Sequence, residues 1–286
     1  MIKGLTRRAR RVYRKEGLIR TVEKSARFVP RYARHVLGKN GMYGSPRYRW
    51  LLIWWNSRPH SAVADPFKIV RVDATKITHV TGRGPNPGRF QWQDLGKVQG
   101  GDWDQSDERV EDLPVVKALR QRFENGKEWE EIEFIQHVLE QAERGHVIWR
   151  GCASQEDVWE ACARVDRLYE GIRDQGYRSK QELVQQEGLS PDKYIDGDRF
   201  SCYDEVVVDV GRDGQFLFVD GRHRLAIAKI LELEEIPVRI SARHELWQQV
   251  RERASQTSRS MPSEDFERHH THPDLADVLD GNNRNC

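Results

Sequence analysis

Hydrophobic and polar positions divide this chain into segments of different period. Phe67-Lys68-Ile69-Val70-Arg71-Val72 has the apolar, β-branched character of a strand. Leu113, Val116, Leu119 and Phe123, then Trp129, Ile132, Ile135, Val138 and Leu139, recur at helical spacing. Asn125-Gly126 breaks that block and Gly145 ends it. Val147-Ile148-Trp149 reads as a short strand before Gly151. A further helix is expected over 154–176, with Val158, Ala161, Val165, Leu168 and Ile172 on one stripe and Gly176 as its stop. Residues 177–203 are polar and loop-like, with a short helix near Ser179–Gln186.

A denser apolar region follows. Asp204 to Val210 is valine-rich and broken only by Asp209, the signature of a buried strand. Arg212-Asp213-Gly214 forms a turn into the strand Phe216–Val219. Leu225 to Leu233 is dense in apolar residues and reads as a helix, and Ile236–Ile240 as another strand. Strand and helix are joined by Asp220-Gly221-Arg222-His223-Arg224. Gly221 allows a sharp turn. The first helical turn directs unpaired N–H groups and the positive end of the helix dipole outward, beside three basic-capable side chains. That combination suits an anion, phosphate above all. Each residue also has a plainer role open to it. Asp220 could cap the helix, His223 could be structural, Arg222 could face solvent, and Arg224 could pair with a core carboxylate.

The ends are polar. Leu5, Ala9, Val12, Ile19, Val22, Ala26 and Val29 form an apolar stripe between arginines and lysines, as in a basic amphipathic helix over residues 3–36. Residues 1–49 hold 15 Lys or Arg against Glu16 and Glu23, which leaves about 11 units of net negative charge on the rest of a chain whose overall charge is +2. The basic segment fits three uses: packing on the domain, an anionic membrane surface, or nucleic acid. Gly38, Gly41, Gly44 and Pro46 read as a linker, and Trp50-Leu51-Leu52-Ile53-Trp54-Trp55 as a packed edge or an interfacial aromatic anchor. From about 253 the chain is polar and is expected to be a disordered tail. Within it His269, His270 and His272 could bind metal loosely.

Composition narrows the class. Of 286 residues 37% are hydrophobic, enough for a core, and 32% are charged. Four cysteines show no C-x-x-C spacing, which points to a reducing compartment. No apolar run reaches the ~20 residues of a spanning helix, so a cytoplasmic location is expected, with peripheral attachment at the inner membrane face as a variant. The loop over 81–105 is rich in Gly, Pro and Trp and contains Gly100-Gly101-Asp102-Trp103-Asp104. Asp102 and Asp104 there could hold a divalent cation or take a proton, or could close a tight turn. The expected architecture is α+β. It comprises a basic extension over 1–49, a domain over 50–252 with a helical insertion at about 106–200, and a tail over 253–286.

The segment Val206–Ile240 resembles the ParB/sulfiredoxin superfamily. Val219-Asp220-Gly221-Arg222-His223-Arg224-Leu225-Ala226, Ala228 and Ile236-Pro237-Val238 carry the likeness. Leu168 to Gly176 is similar to the helix preceding the hairpin in that family, with Gly171 in place of a serine. The likeness covers about 70 residues, or about 110 if 67–105 supply the first strand. It implies a strand–turn–helix join that holds nucleotide phosphates. Sulfiredoxins place cysteine before the His-Arg pair; Arg222 stands there, which excludes reductase chemistry. Partition-type ParB proteins bind CTP through a Gly-Glu-Arg-Arg version and carry two further domains, for which the 46 residues after Ile240 are too few. The free serine kinases, with Val-Asp-Gly-His-His-Arg, come closest. That likeness implies Asp220 as a base, His223 and Arg224 as phosphate ligands with Gly221 and Arg222 beside them, and one further acid from Asp102, Asp104 or Glu170. Mg²⁺ and ATP, ADP or CTP are the implied cofactors. The expected function is a nucleotide-dependent phosphotransferase or NTP hydrolase acting on a small hydroxylated substrate. A ParB-like DNA-binding protein or nuclease, and a non-catalytic membrane-associated nucleotide-binding module, are the alternatives.

Overall fold

The computed structural model describes residues 60–83, 94–179, 205–257 and 269–283, together with positions 51, 54, 55, 182, 183 and 186. The basic segment 3–36 lies outside the described residues. The fold is α+β, built on a mixed sheet of six strands. These are β1 (Ile69–Val72), β2 (His79–Val80), β3 (Lys97–Gln99), β4 (Val206–Val210), β5 (Phe216–Asp220) and β6 (Ile236–His244). Their order is β1-β6-β4-β5-β2, and β3 shares with β1 the outer edge of β6.

The two central strands explain the apolar run at 206–210. β4 lies between β5, antiparallel, and β6, parallel, and all five of its residues are buried. A strand covered on both faces loses the alternation of a half-exposed one. Asp209 is the exception in composition only. Its carboxylate is fully buried and accepts from Thr81 Oγ1 (2.9 Å), from Arg83 Nε (2.8 Å) and Nη2 (3.2 Å), and from the Ala242 amide (2.9 Å). The last bond replaces a ladder bond, which is why the β4–β6 register shifts between Val208 and Val210.

β6 runs four residues beyond the expected Ile240, to His244. The extension holds the polar residues Ser241, Arg243 and His244, and each is buried against a partner. Ser241 receives Arg83, Arg243 grips Asp274, and His244 Nε2 donates to the Gly101 carbonyl at 2.9 Å. Partners distant in sequence make these positions strand, so an apolar pattern could not reveal them.

The helices are α1 (Pro114–Phe123), α2 (Glu133–Glu143), α3 (Gln155–Gln175), α4 (Arg222–Ile230), α5 (Glu245–Thr257) and α6 (Ala276–Asn283). α3 starts at a reciprocal cap: Ser154 Oγ accepts the Asp157 amide, and the Asp157 carboxylate accepts the Ser154 amide. α4 packs on β4 and against α1 and α3, burying Leu225, Ala226, Ile227 and Ala228. It begins at Arg222, three residues before the apolar density, because its first turn faces a pocket rather than the core. The segment Val147–Trp149 is not a strand; Ile148 and Cys152 form an isolated bridge that closes the tight turn Trp149–Gly151.

The disordered tail expected from 253 is corrected over two stretches. α5 continues to Thr257, and residues 269–283 return to the sheet. Asp274 is buried, paired with Arg243 (2.8 Å to Nε), Trp247 (Nε1, 2.9 Å) and Arg251. His272 stacks between Phe216 and Trp247, accepts the Asp274 amide on Nδ1, and donates from Nε2 to the Gly214 carbonyl. Both of its nitrogens are therefore occupied structurally, which removes it as a metal ligand. Positions 51, 54 and 55 are helical and exposed, so the aromatic run is not a buried edge there.

Candidate anion-binding site

Gly221 makes the join between β5 and α4. Its φ of +91° lies in the left-handed region, and a Cβ there would stand 2.9 Å from the Val206 Cα, so glycine is required twice over. Asp220 Oδ1 accepts the Gly221 amide at 2.7 Å. The helical ladder starts only at Leu225, whose amide reaches the Gly221 carbonyl at 3.0 Å. No side chain caps the helix. The first-turn amides are thus presented to whatever lies above them.

What lies above is a pocket of about 700 Å³. The junction contributes Asp220, Gly221, Arg222, His223 and Arg224 to its wall. α3 contributes Arg164, Arg167 and Leu168, and the Trp149–Gly151 turn contributes Trp149 and Arg150. Five arginines therefore surround one carboxylate. Arg164 also bonds Glu160 one turn earlier, and Arg224 Nη1 reaches the buried Glu205 at 3.4 Å. Among the described residues no carboxylate pairs with Arg167 or Arg222. Arg150 has φ +59°, a conformation that costs an L-residue on the order of 1 kcal/mol and carries its side chain toward the pocket.

His223 is neutral. Trp149 Nε1 lies 3.2 Å from His223 Nε2, and an indole N–H can only donate. Nε2 is therefore the acceptor, which an imidazolium cannot provide. Burial, with the charges of Arg150, Arg222 and Arg224, pushes the ring down to about 3. As a neutral ring, His223 faces the pocket with an uncharged N–H to donate.

The residues expected to share this chemistry divide between two places. Asp220, Gly221, Arg222, His223 and Arg224 converge on the pocket. Asp102 and Asp104 do not line it. Both carboxylates grip Arg212 in the β4–β5 turn: Asp104 Oδ2 accepts the Arg212 amide (2.8 Å) and Nε (2.9 Å), and Asp102 Oδ1 accepts Nη2 at 2.8 Å. The Arg212 hydrogen bonds hold the buried Asp104 below its ordinary range against the opposing effect of burial. The Gly101 carbonyl accepts from Arg212 Nη2 and His244 Nε2. Glu170 is exposed on α3 and outside the lining. Among the described residues no three His, Cys, Asp or Glu side chains gather as metal ligands. The buried Cys162 thiol is pushed up to about 12 by burial, then by Asp166.

The chain matches no family model, and no curated protein or solved structure matches it.

Sequence reading missed Trp149, Arg150, Arg164, Arg167 and Leu168. Arg164, Arg167 and Leu168 follow the three-and-four spacing of one helix face, so their mutual proximity was legible. Which element they oppose was not.

Asp220 has the free valence that chemistry would need. Its Oδ2 makes no hydrogen bond among the described residues. Mg²⁺ is commonly held by one or two carboxylates together with substrate phosphates, and Asp220 fits that minimum role.

Proposed function

We propose that this chain binds a nucleoside di- or triphosphate at the β5–α4 junction and that Asp220 takes the proton of a small hydroxyl acceptor. The observation that carries the reading is the convergence of five arginines and an uncapped helix start on one pocket. Arginine forks match phosphate oxygens, and the amides of Arg222, His223 and Arg224 add donors that cost no side-chain ordering. A volume of about 700 Å³ lies in the range of small-ligand sites. Phosphoryl transfer depends on positioning and charge neutralisation more than on covalent help from the protein. The arginines would hold the phosphates, and Asp220 would hold Mg²⁺, which would supply further charge neutralisation. The acceptor proton would pass to the Asp220 carboxylate.

The test is a thermal-shift series with ATP, ADP, CTP and pyrophosphate, each with and without Mg²⁺. A ligand at 100 times its Kd adds about 2.7 kcal/mol of stability. Arg167→Ala with Arg222→Ala should abolish the shift; among the described residues neither pairs with a carboxylate. No shift with any of the four compounds would remove the reading. A nucleic-acid reading draws on the excess of 13 positive charges in residues 1–49. It predicts duplex binding that weakens steeply with salt.

A further inference from the structure

The Trp149–Gly151 turn does more than fill one wall of the pocket. Its indole N–H reaches His223 Nε2 at 3.2 Å, with ring centroids 6.0 Å apart. The indole is itself fixed, edge-on to Phe134 at 86° and 5.7 Å. A neutral imidazole carries one proton, and with Nε2 accepting, that proton sits on Nδ1. Left alone in water, imidazole shifts readily between two tautomers; here one is selected by a donor that cannot reverse its role. The next residue, Arg150, adds a guanidinium to the same wall and opposes any second proton on the ring.

We infer that Trp149 is a positioning residue that locks His223 as a neutral Nδ1–H donor for an oxygen of the bound phosphate. This deepens the phosphate-site reading and rests on it. Through Trp149, the pocket gains an uncharged donor among its arginines. Such a donor favours a phosphate oxygen at a fixed point, whereas long arginine side chains follow charge wherever it sits. The consequence is discrimination by geometry: the pocket should separate ligands that place an oxygen at Nδ1 from those of equal charge that do not.

The experiment is ¹⁵N NMR of the histidine rings in the full chain, without ligand, on the wild type and Trp149→Phe. Phenylalanine keeps a ring against Phe134 and removes the N–H. Wild-type His223 should show protonated Nδ1 and bare Nε2, and the variant should shift toward the Nε2–H form or a mixture. Pyrophosphate titration should weaken about tenfold in the variant, and sulfate at matched charge should weaken less. A wild-type ring protonated on Nε2, or a tautomer unchanged in Trp149→Phe, would overturn the inference. The wild-type spectrum decides even if the variant does not fold. Failure of wild-type protein to bind pyrophosphate overturns the phosphate reading and the donor role together, and is recognisable because the ligand-free spectra are independent of it.

Discussion

Arg224 Nη1 lies 3.4 Å from Oε2 of Glu205, a carboxylate with no exposed side-chain surface at the foot of β4. The pocket wall is therefore tied electrostatically to the central strand. Arg224→Ala removes that charge partner from a buried carboxylate and should cost about 2 kcal/mol of stability, read as a lower urea midpoint. Loss of ligand binding in that variant alone would not separate site from scaffold. Arg167→Ala and Arg222→Ala should leave the midpoint within about 0.5 kcal/mol while weakening phosphate binding.

Gly221→Ala meets two obstacles, a left-handed backbone and the Val206 Cα at 2.9 Å. A cost of about 2 to 4 kcal/mol is expected, the strain and the steric term adding. Denaturant unfolding checks it; a change below 1 kcal/mol would mean that the β5–α4 turn is not built as described.

Asp104→Asn tests the separation of the two acidic places. The variant weakens the grip on Arg212 and leaves a buried amide in its place, so the midpoint should fall by about 1 to 2 kcal/mol. Nucleotide affinity should stay within twofold, because neither Asp104 nor Asp102 lines the pocket. A large loss of affinity at unchanged stability would return these carboxylates to the site.

Asp274 and His223 are two of the groups that shape the acid limb of the stability curve, to which Asp104 and His272 also contribute. Asp274 is held far below its ordinary 3.8, with Arg243 and Arg251 outweighing burial. Its contribution is complete above about pH 4 and is lost as pH falls below that, where the unfolded chain takes a proton that the folded one refuses. His223 acts over a higher window. Its folded value of about 3 lies below the ordinary 6.5, so stability falls as pH drops through 6.5 and continues to fall toward 3. His223→Gln should reduce the slope of the curve between pH 6.5 and 4.5, where His272 keeps a share, and Asp274→Asn should reduce it only below about 4, at the cost of about 3 kcal/mol at neutral pH from Arg243 left buried without its carboxylate, while Arg251 keeps Asp277. Denaturant midpoints at half-unit pH steps measure both.

Parts of the fold whose cause is local were legible along the chain. The valine run of β4, the three-and-four stripes of α1 to α3, and the glycine-marked turn at 221 all follow from period, β-branching and backbone freedom. The clustering of basic side chains at Asp220–Arg224 was readable for the same reason, since it depends on five adjacent residues. What required the tertiary structure was everything set by a partner far away in the chain. Polar Ser241, Arg243 and His244 are strand only because Arg83, Asp274 and Gly101 satisfy them. Asp102 and Asp104 became a clasp for Arg212 rather than site acids, across more than a hundred residues. Trp149, Arg150, Arg164 and Arg167 reach the turn at 221 only because α3 packs on α4. Composition can state how many arginines a chain has; only packing decides that five of them face the same space, because charge repulsion opposes the gathering and the buried contacts of α4 outweigh it.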